Sequence, residues 1–249
     1  MFKYPVLIGL PRSGTTWVQQ YIRTAYSRYG MTLPSNMDDE LFANHYKYDN
    51  IQTKIRLLEI ARANGLEICV KYHTNYVQDN LSWFKEFYKN ADVIILKRRN
   101  LWKTYLSWLF HNTININVPN AAFNSKLHPW HLITPTDEDV LKSTIQTYNI
   151  QFTFNHNIWN NFINQVRFLN DDIIPTFNSK QVLWLEDLTD EFLEDRFNIK
   201  PEVIIKPFKR LNYEVYYSEK ELNFIKETYN KRFDNEFRFY GYKHYFEYF

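Results

Sequence analysis

Val6-Leu7-Ile8-Gly9-Leu10-Pro11-Arg12-Ser13-Gly14-Thr15-Thr16-Trp17 is the stretch that decides the fold. Tyr4 to Ile8 predicts a short buried strand, Gly9 to Gly14 a loop, and Thr15 to Tyr29 a helix. Val18, Tyr21, Ile22, Ala25 and Tyr29 recur at helical spacing and give that helix one face for a sheet. A glycine-bearing turn between strand and helix presents successive backbone N–H groups at the positive end of the helix, which suits a phosphate. Only 5 Gly occur in the chain. Two of them, Gly9 and Gly14, fall in this loop, where glycine lets backbone approach a ligand closely.

Outward from this unit, helical patterns cover Asn50 to Ala63, Leu81 to Tyr88 and Asn100 to Phe110, with strands at Glu67 to Lys71 and Asp92 to Leu96 between them. Continuous branched apolar strands alternating with helices predict an α/β protein, three layers thick, with a central parallel sheet covered on both faces. Residues Asn112 to Pro135, with His128, Trp130 and His131, read as irregular. Either a substrate-facing lid or a surface excursion accounts for them. A long helix is expected from Thr136 to about Phe168, then a strand at Gln181 to Leu185. The last helix opens at Ser218 with Glu221 in the capping-box position and Leu222, Ile225, Tyr229 and Phe233 on its inner face. No repeat or linker is visible, so one domain over residues 1–249 is expected.

Composition narrows the functional classes. Thirty Lys and Arg against twenty-eight Asp and Glu give a formal charge of +2, too little for a nucleic-acid-binding surface by bulk charge. A lone cysteine, Cys69, excludes a disulfide framework and fits a reducing compartment. The opening apolar run is too short for a membrane span and lacks the pattern of a signal peptide, so a soluble cytoplasmic protein is expected. No set of residues has convincing metal-ligand spacing, and no metal is expected.

Gly9 to Thr16 has the spacing of a Walker A loop with Thr15 in the lysine position, and the next apolar strand ends in Lys97-Arg98-Arg99 where a metal-holding Asp would stand. Both departures argue against magnesium-dependent phosphoryl transfer. GLPRSGTTW closely resembles the loop by which sulfotransferases hold the 5'-phosphosulfate of 3'-phosphoadenosine 5'-phosphosulfate (PAPS). VIILKRRNLWKTYLS resembles that family's 3'-phosphate segment, an Arg at a strand end and a Ser eight residues later, here Arg99 and Ser107. ICVKYH resembles its strand carrying the catalytic His, which places Lys71 and His73 on one side of a strand end. VLWLEDL and the closing FDNEFRFYGY resemble further segments, so the likeness spans most of the chain. It implies the P-loop-like sulfotransferase fold.

By that resemblance the loop residues Arg12, Ser13, Gly14, Thr15 and Thr16 bind the cofactor, Trp17 stacks on its adenine, and Arg99 and Ser107 hold its 3'-phosphate. Trp17 is equally readable as ordinary core packing. The cytosolic branch's C-terminal cofactor segment is absent, leaving Lys206, Lys209 and Arg210 as substitutes. Arg12 and Lys71 stabilise charge on the departing oxygen, and His73, whose side chain titrates near neutrality, takes the acceptor's proton. Arg99 is also readable as part of a solvated basic run. The expected reaction moves the sulfuryl group of PAPS to an acceptor hydroxyl, a glycan or small hydroxylated metabolite ahead of protein tyrosine. Two other classes fit parts of the pattern: a P-loop nucleotide or small-molecule kinase, and a non-catalytic module for an adenosine phosphate or a glycan. Trp102, Trp108, Phe123 and Trp130 are candidates for an acceptor platform.

Overall fold

The computed structural model describes residues 5–27, 51–64, 71–118, 135–177, 181–198 and 212–244. Two compact units make up the chain, the first of Met1–Arg98 with Gln165–Ile205 and the second of Arg99–Asn164 with Lys206–Phe249.

A four-stranded parallel sheet forms the centre of the first unit. Its strands are β1 (Val6–Gly9), β2 (Lys71–His73), β3 (Val93–Lys97) and β4 (Val182–Trp184), in the spatial order β2-β1-β3-β4. Leu7, Ile8, Ile94, Ile95 and Leu96 are all fully buried. Successive strand residues point to opposite faces, so both faces of the sheet are covered, which is why the strands read as unbroken apolar runs. Helices α1 (Thr15–Ser27), α2 (Ile51–Ala63), α3 (Thr74–Gln78) and α4 (Leu81–Phe87) belong to the same unit. The result is the expected three-layer α/β arrangement, a central parallel sheet flanked by helices.

One face of the sheet is sealed by α1 together with the later helix Asp190–Arg196. Leu7, Ile94 and Leu96 pack with Val18, Tyr21 and Ile22 of α1 and with Leu188, Leu193 and Phe197 around that helix. Each such side chain contributes roughly 1.5–3 kcal/mol when removed from water. Tyr21 also donates from its hydroxyl to Asp190, and burial together with that carboxylate pushes the phenol well above its ordinary range. The helix itself is capped by Thr189, whose Oγ1 accepts from the Phe192 amide at 3.1 Å.

The second unit is built on aromatic packing. Helix α5 (Leu101–Asn117) buries twelve of its residues, consistent with a core helix apolar nearly all round. The rings of Tyr105 and Trp159 meet edge to face at 4.7 Å, and those of Phe110 and Phe152 stack at 4.8 Å. Trp102 and Trp108 are 2% and 5% exposed, so these two platform candidates are core residues. Phe123 and Trp130 lie outside the described residues.

The structure corrects two sequence expectations about helices. Helix α5 runs through Asn117, so the stretch expected to be irregular from Asn112 begins helical; residues 119–134 lie outside the described residues. The single helix expected from Thr136 to Phe168 is two, α6 (Pro135–Thr147) and α7 (His156–Arg167). Asn149 adopts a left-handed φ of 47° after the last turn of α6. Asn155 then starts α7, its Oδ1 accepting from the amides of Asn157 and Ile158 at 2.9 and 3.1 Å. Asparagine suits both tasks, tolerating the left-handed region and capping well.

Beyond α7 the chain passes through a π-helical turn, Phe168–Ile173, and the short α8 (Ile174–Thr176) before β4. A 3-10 turn, Leu185–Asp187, closes β4, and α9 (Asp190–Arg196) follows. In the second unit α10 (Glu219–Arg232) starts as expected: Ser218 Oγ accepts from the Glu221 amide at 3.2 Å. The Glu221 carboxylate accepts from the Phe154 amide at 3.1 Å, joining the start of α10 to the segment before α7. Ile225, Tyr229 and Phe233 are buried and Leu222 is half-buried. Among the described residues no helix is long and apolar enough to cross a membrane.

Candidate functional site

Strand order locates the site. The chain steps from β1 to β2 on one side and later places β3 on the other, so the carboxyl end of β1 is where the direction of the sheet reverses, and such crevices take ligands. Gly9 closes β1 there, level with His73 on one neighbour and with Leu96 on the other.

The loop that follows is held by its own atoms. A Cβ on Gly9 would lie 2.8 to 2.9 Å from Thr15 Cγ2, the Leu96 carbonyl oxygen and Ser13 Oγ, and one on Gly14 would lie 2.6 Å from a Leu185 methyl. The close approach these glycines permit is therefore to protein. Ser13 donates twice to the Leu10 carbonyl, from its amide at 3.2 Å and from its hydroxyl at 2.7 Å. Of the loop residues predicted to bind a cofactor, Ser13 is fully buried and occupied internally. The amides of Gly14, Thr15 and Thr16 donate to nothing among the described residues. Arg12 and Gly14 both have left-handed backbones, φ 70° and 90°. For arginine that conformation costs about 1–3 kcal/mol and persists only where surrounding contacts impose it.

Two long-range contacts bring β2 to the start of α1. Thr15 Oγ1 and His73 Nε2 are 3.3 Å apart, and Lys71 Nζ donates to Thr16 Oγ1 at 2.8 Å. Lys71 and His73 share a strand face, while the intervening Tyr72 points to the other, meeting Phe84 edge to face and sharing a 2.5 Å hydrogen bond with the Tyr88 hydroxyl. Lys71 and Thr15 are buried and His73 is half-buried, stacked on Tyr76 at 5.8 Å. His73 ends β2 and is also the residue from which α3 starts, so strand and helix together fix its position. The Thr15 hydroxyl donates to Nε2 when the imidazole proton sits on Nδ1 and accepts in the other tautomer.

Trp17 is half-buried, packed against the apolar cluster of α1 with its ring edge-to-face on Tyr21 at 5.8 Å. Arg99 and Ser107 belong to the second unit, Arg99 half-buried at its start and Ser107 buried within α5. Lys206, Lys209 and Arg210 lie outside the described residues.

The basic run at the end of β3 is not a solvated face. Lys97 is 3% exposed, donates to Asn170 Oδ1 of the π-helical turn at 2.7 Å, and sits 4.4 Å from the centroid of the Trp184 ring. Burial lowers its ammonium pKa to about 8. Arg98 donates to the Arg12 carbonyl at 3.4 Å and lies 3.9 Å from Glu186. Sequence reasoning gave neither residue a part in the site. Their place at the tip of a buried strand, beside the central one, is the signal that could have found them.

No family model, curated protein or solved structure matches this chain. The site's chemistry thus stands on its residues: donors at the positive end of α1, with a lysine and an imidazole presented by β2.

Proposed function

We propose that the chain is a PAPS-dependent sulfotransferase, moving a sulfuryl group to an acceptor hydroxyl on a glycan or small hydroxylated metabolite. The observation that carries this reading is the convergence of His73 and Lys71 on Thr15 and Thr16 at the first helical turn after the glycine loop. The residues present suit a phosphate ester: the Gly14 to Thr16 amides have no protein acceptor among the described residues, two threonine hydroxyls stand beside them, and Lys71 and Arg12 add positive charge.

PAPS supplies the sulfuryl group when bound and leaves as 3'-phosphoadenosine 5'-phosphate (PAP). His73 Nε2 gives up its contact with Thr15 and takes the proton of the acceptor hydroxyl, becoming imidazolium. Lys71 and Arg12 offset negative charge growing on the oxygen that departs from sulfur. Thr15 holds the imidazole in place beforehand, and Thr16 does the same for the Lys71 ammonium. Arg99 and Ser107 enter the reading through the sequence resemblance alone.

Titration of the purified protein with PAP, followed by incubation with radiolabelled PAPS and a panel of hydroxylated acceptors, tests it. The expected result is saturable PAP binding and a labelled product. Tighter binding of ATP with magnesium than of PAP would favour a kinase, and no PAP binding at all would end the sulfotransferase reading. Binding without turnover on any acceptor would leave a binding module.

A further inference from the structure

Arg98 has no part in the mechanism above, yet it joins the two segments that shape the anion loop. Its Nη1 donates to the carbonyl of Arg12, and its Nε lies 3.9 Å from Glu186 Oε1 in the turn after β4. Both side chains are sheltered, 17% and 25% exposed. The neighbouring residue of that turn, Leu185, fills the space a side chain would take at Gly14.

The geometry matters because a peptide unit is planar: fixing its carbonyl oxygen and its N–H fixes its orientation. In the Arg12–Ser13 unit, the oxygen accepts from Arg98 and the N–H donates to the Leu10 carbonyl. That unit follows an arginine at φ 70°, a conformation an L-residue does not hold unaided. It also sets the direction from which the Gly14, Thr15 and Thr16 amides leave the loop.

We propose that Arg98, braced by Glu186, is a positioning residue that imposes the left-handed turn at Arg12 and so aims the loop amides at the bound anion. The ligand's identity as PAPS rests on the function proposed above. The brace itself serves any phosphate or sulfate ester bound there.

The test is amide hydrogen exchange at Ser13 and Trp17, read beside PAP affinity and turnover. Arg98→Met is expected to speed Ser13 exchange about tenfold through local opening, weaken PAP binding, and raise KM for PAPS more than it lowers kcat. Arg98→Lys, which can reach the carbonyl but cannot also keep the guanidinium geometry toward Glu186, is expected to fall between. In an Arg12→Gly background the same Arg98→Met change is expected to alter exchange less than about twofold, since glycine adopts the turn freely. Unchanged Ser13 exchange in Arg98→Met, or an equal effect in both backgrounds, overturns the proposal. Should Arg98→Met not fold, Glu186→Gln in both backgrounds decides the question. A parent protein that fails to bind PAP removes the sulfotransferase reading while the exchange data still decide the brace.

Discussion

Thr15 Oγ1 and His73 Nε2 stand 3.3 Å apart across 58 residues of chain. The contact ties the first turn of α1 to the end of β2. It gives the imidazole a defined partner at the first helical turn after the loop.

On the sulfotransferase reading proposed above, His73→Ala is expected to lower kcat for sulfuryl transfer by roughly 100-fold or more, with PAP affinity within a factor of about three, the pattern for loss of a general base. Thr15→Val removes the hydroxyl that orients the ring and stands beside the loop amides, so a smaller loss of kcat, about tenfold, is expected together with weaker PAP binding. Steady-state kinetics alongside PAP calorimetry check both. An active His73→Ala protein would remove His73 from the base role.

Lys97 makes stability depend on pH. Its folded pKa, about 8, lies below the ordinary 10.5 because burial disfavours the ammonium. Between those values the unfolded chain keeps a proton that the folded chain has shed, so stability rises with pH, by at most about 1.4 kcal/mol per unit, and is lost as pH falls through 8. Lys97→Met is expected to flatten that rise and, on the order of 1–2 kcal/mol, to stabilise the protein at pH 7. Urea unfolding of both proteins at pH 7, 9 and 10.5 measures the difference.

Gly14→Ala combines a φ of 90° with a Cβ 2.6 Å from Leu185. A loss of about 2–3 kcal/mol is expected, and Leu185→Ala in the same chain should recover only the part due to the collision, leaving the backbone strain. Thermal denaturation of the two single variants and the double variant separates the contributions. Full recovery would mean the backbone cost is negligible.

Ser218→Ala removes the hydroxyl that accepts from the Glu221 amide. It is expected to cost about 1 kcal/mol, the usual value for a helix cap. Glu221→Gln retains an oxygen for the Phe154 amide, whereas Glu221→Ala leaves that amide without it. The alanine variant should therefore be the less stable of the two by urea midpoint.

The features that local pattern controls were legible. Leu7 and Ile8, or Ile94 and Ile95, had to be strand residues covered on both sides because nothing polar interrupts them. Ser218 announced the start of α10 by its spacing to Glu221. The two glycines marked the loop, although the atoms crowding them prove to be Thr15, Leu96 and Leu185. What escaped depends on partners distant in sequence. Lys97 looked like surface charge because its neighbours are charged, and only Trp184 and Asn170 reveal a buried ammonium. Asn149 and Asn155 break a helix that the apolar spacing alone continues. Arg98 carries no sequence signature of its bond to Arg12, which arises from the side-by-side ends of β1 and β3.

The level alignment of Gly9 with His73 and Leu96 leaves no tolerance for counting errors in β1. Inserting one residue ahead of Leu7 would exchange the faces of Leu7 and Ile8 and carry the loop about 3.3 Å past the imidazole. A graft of this loop should therefore be joined immediately after Gly9 and keep its length, which leaves the register of β1 untouched.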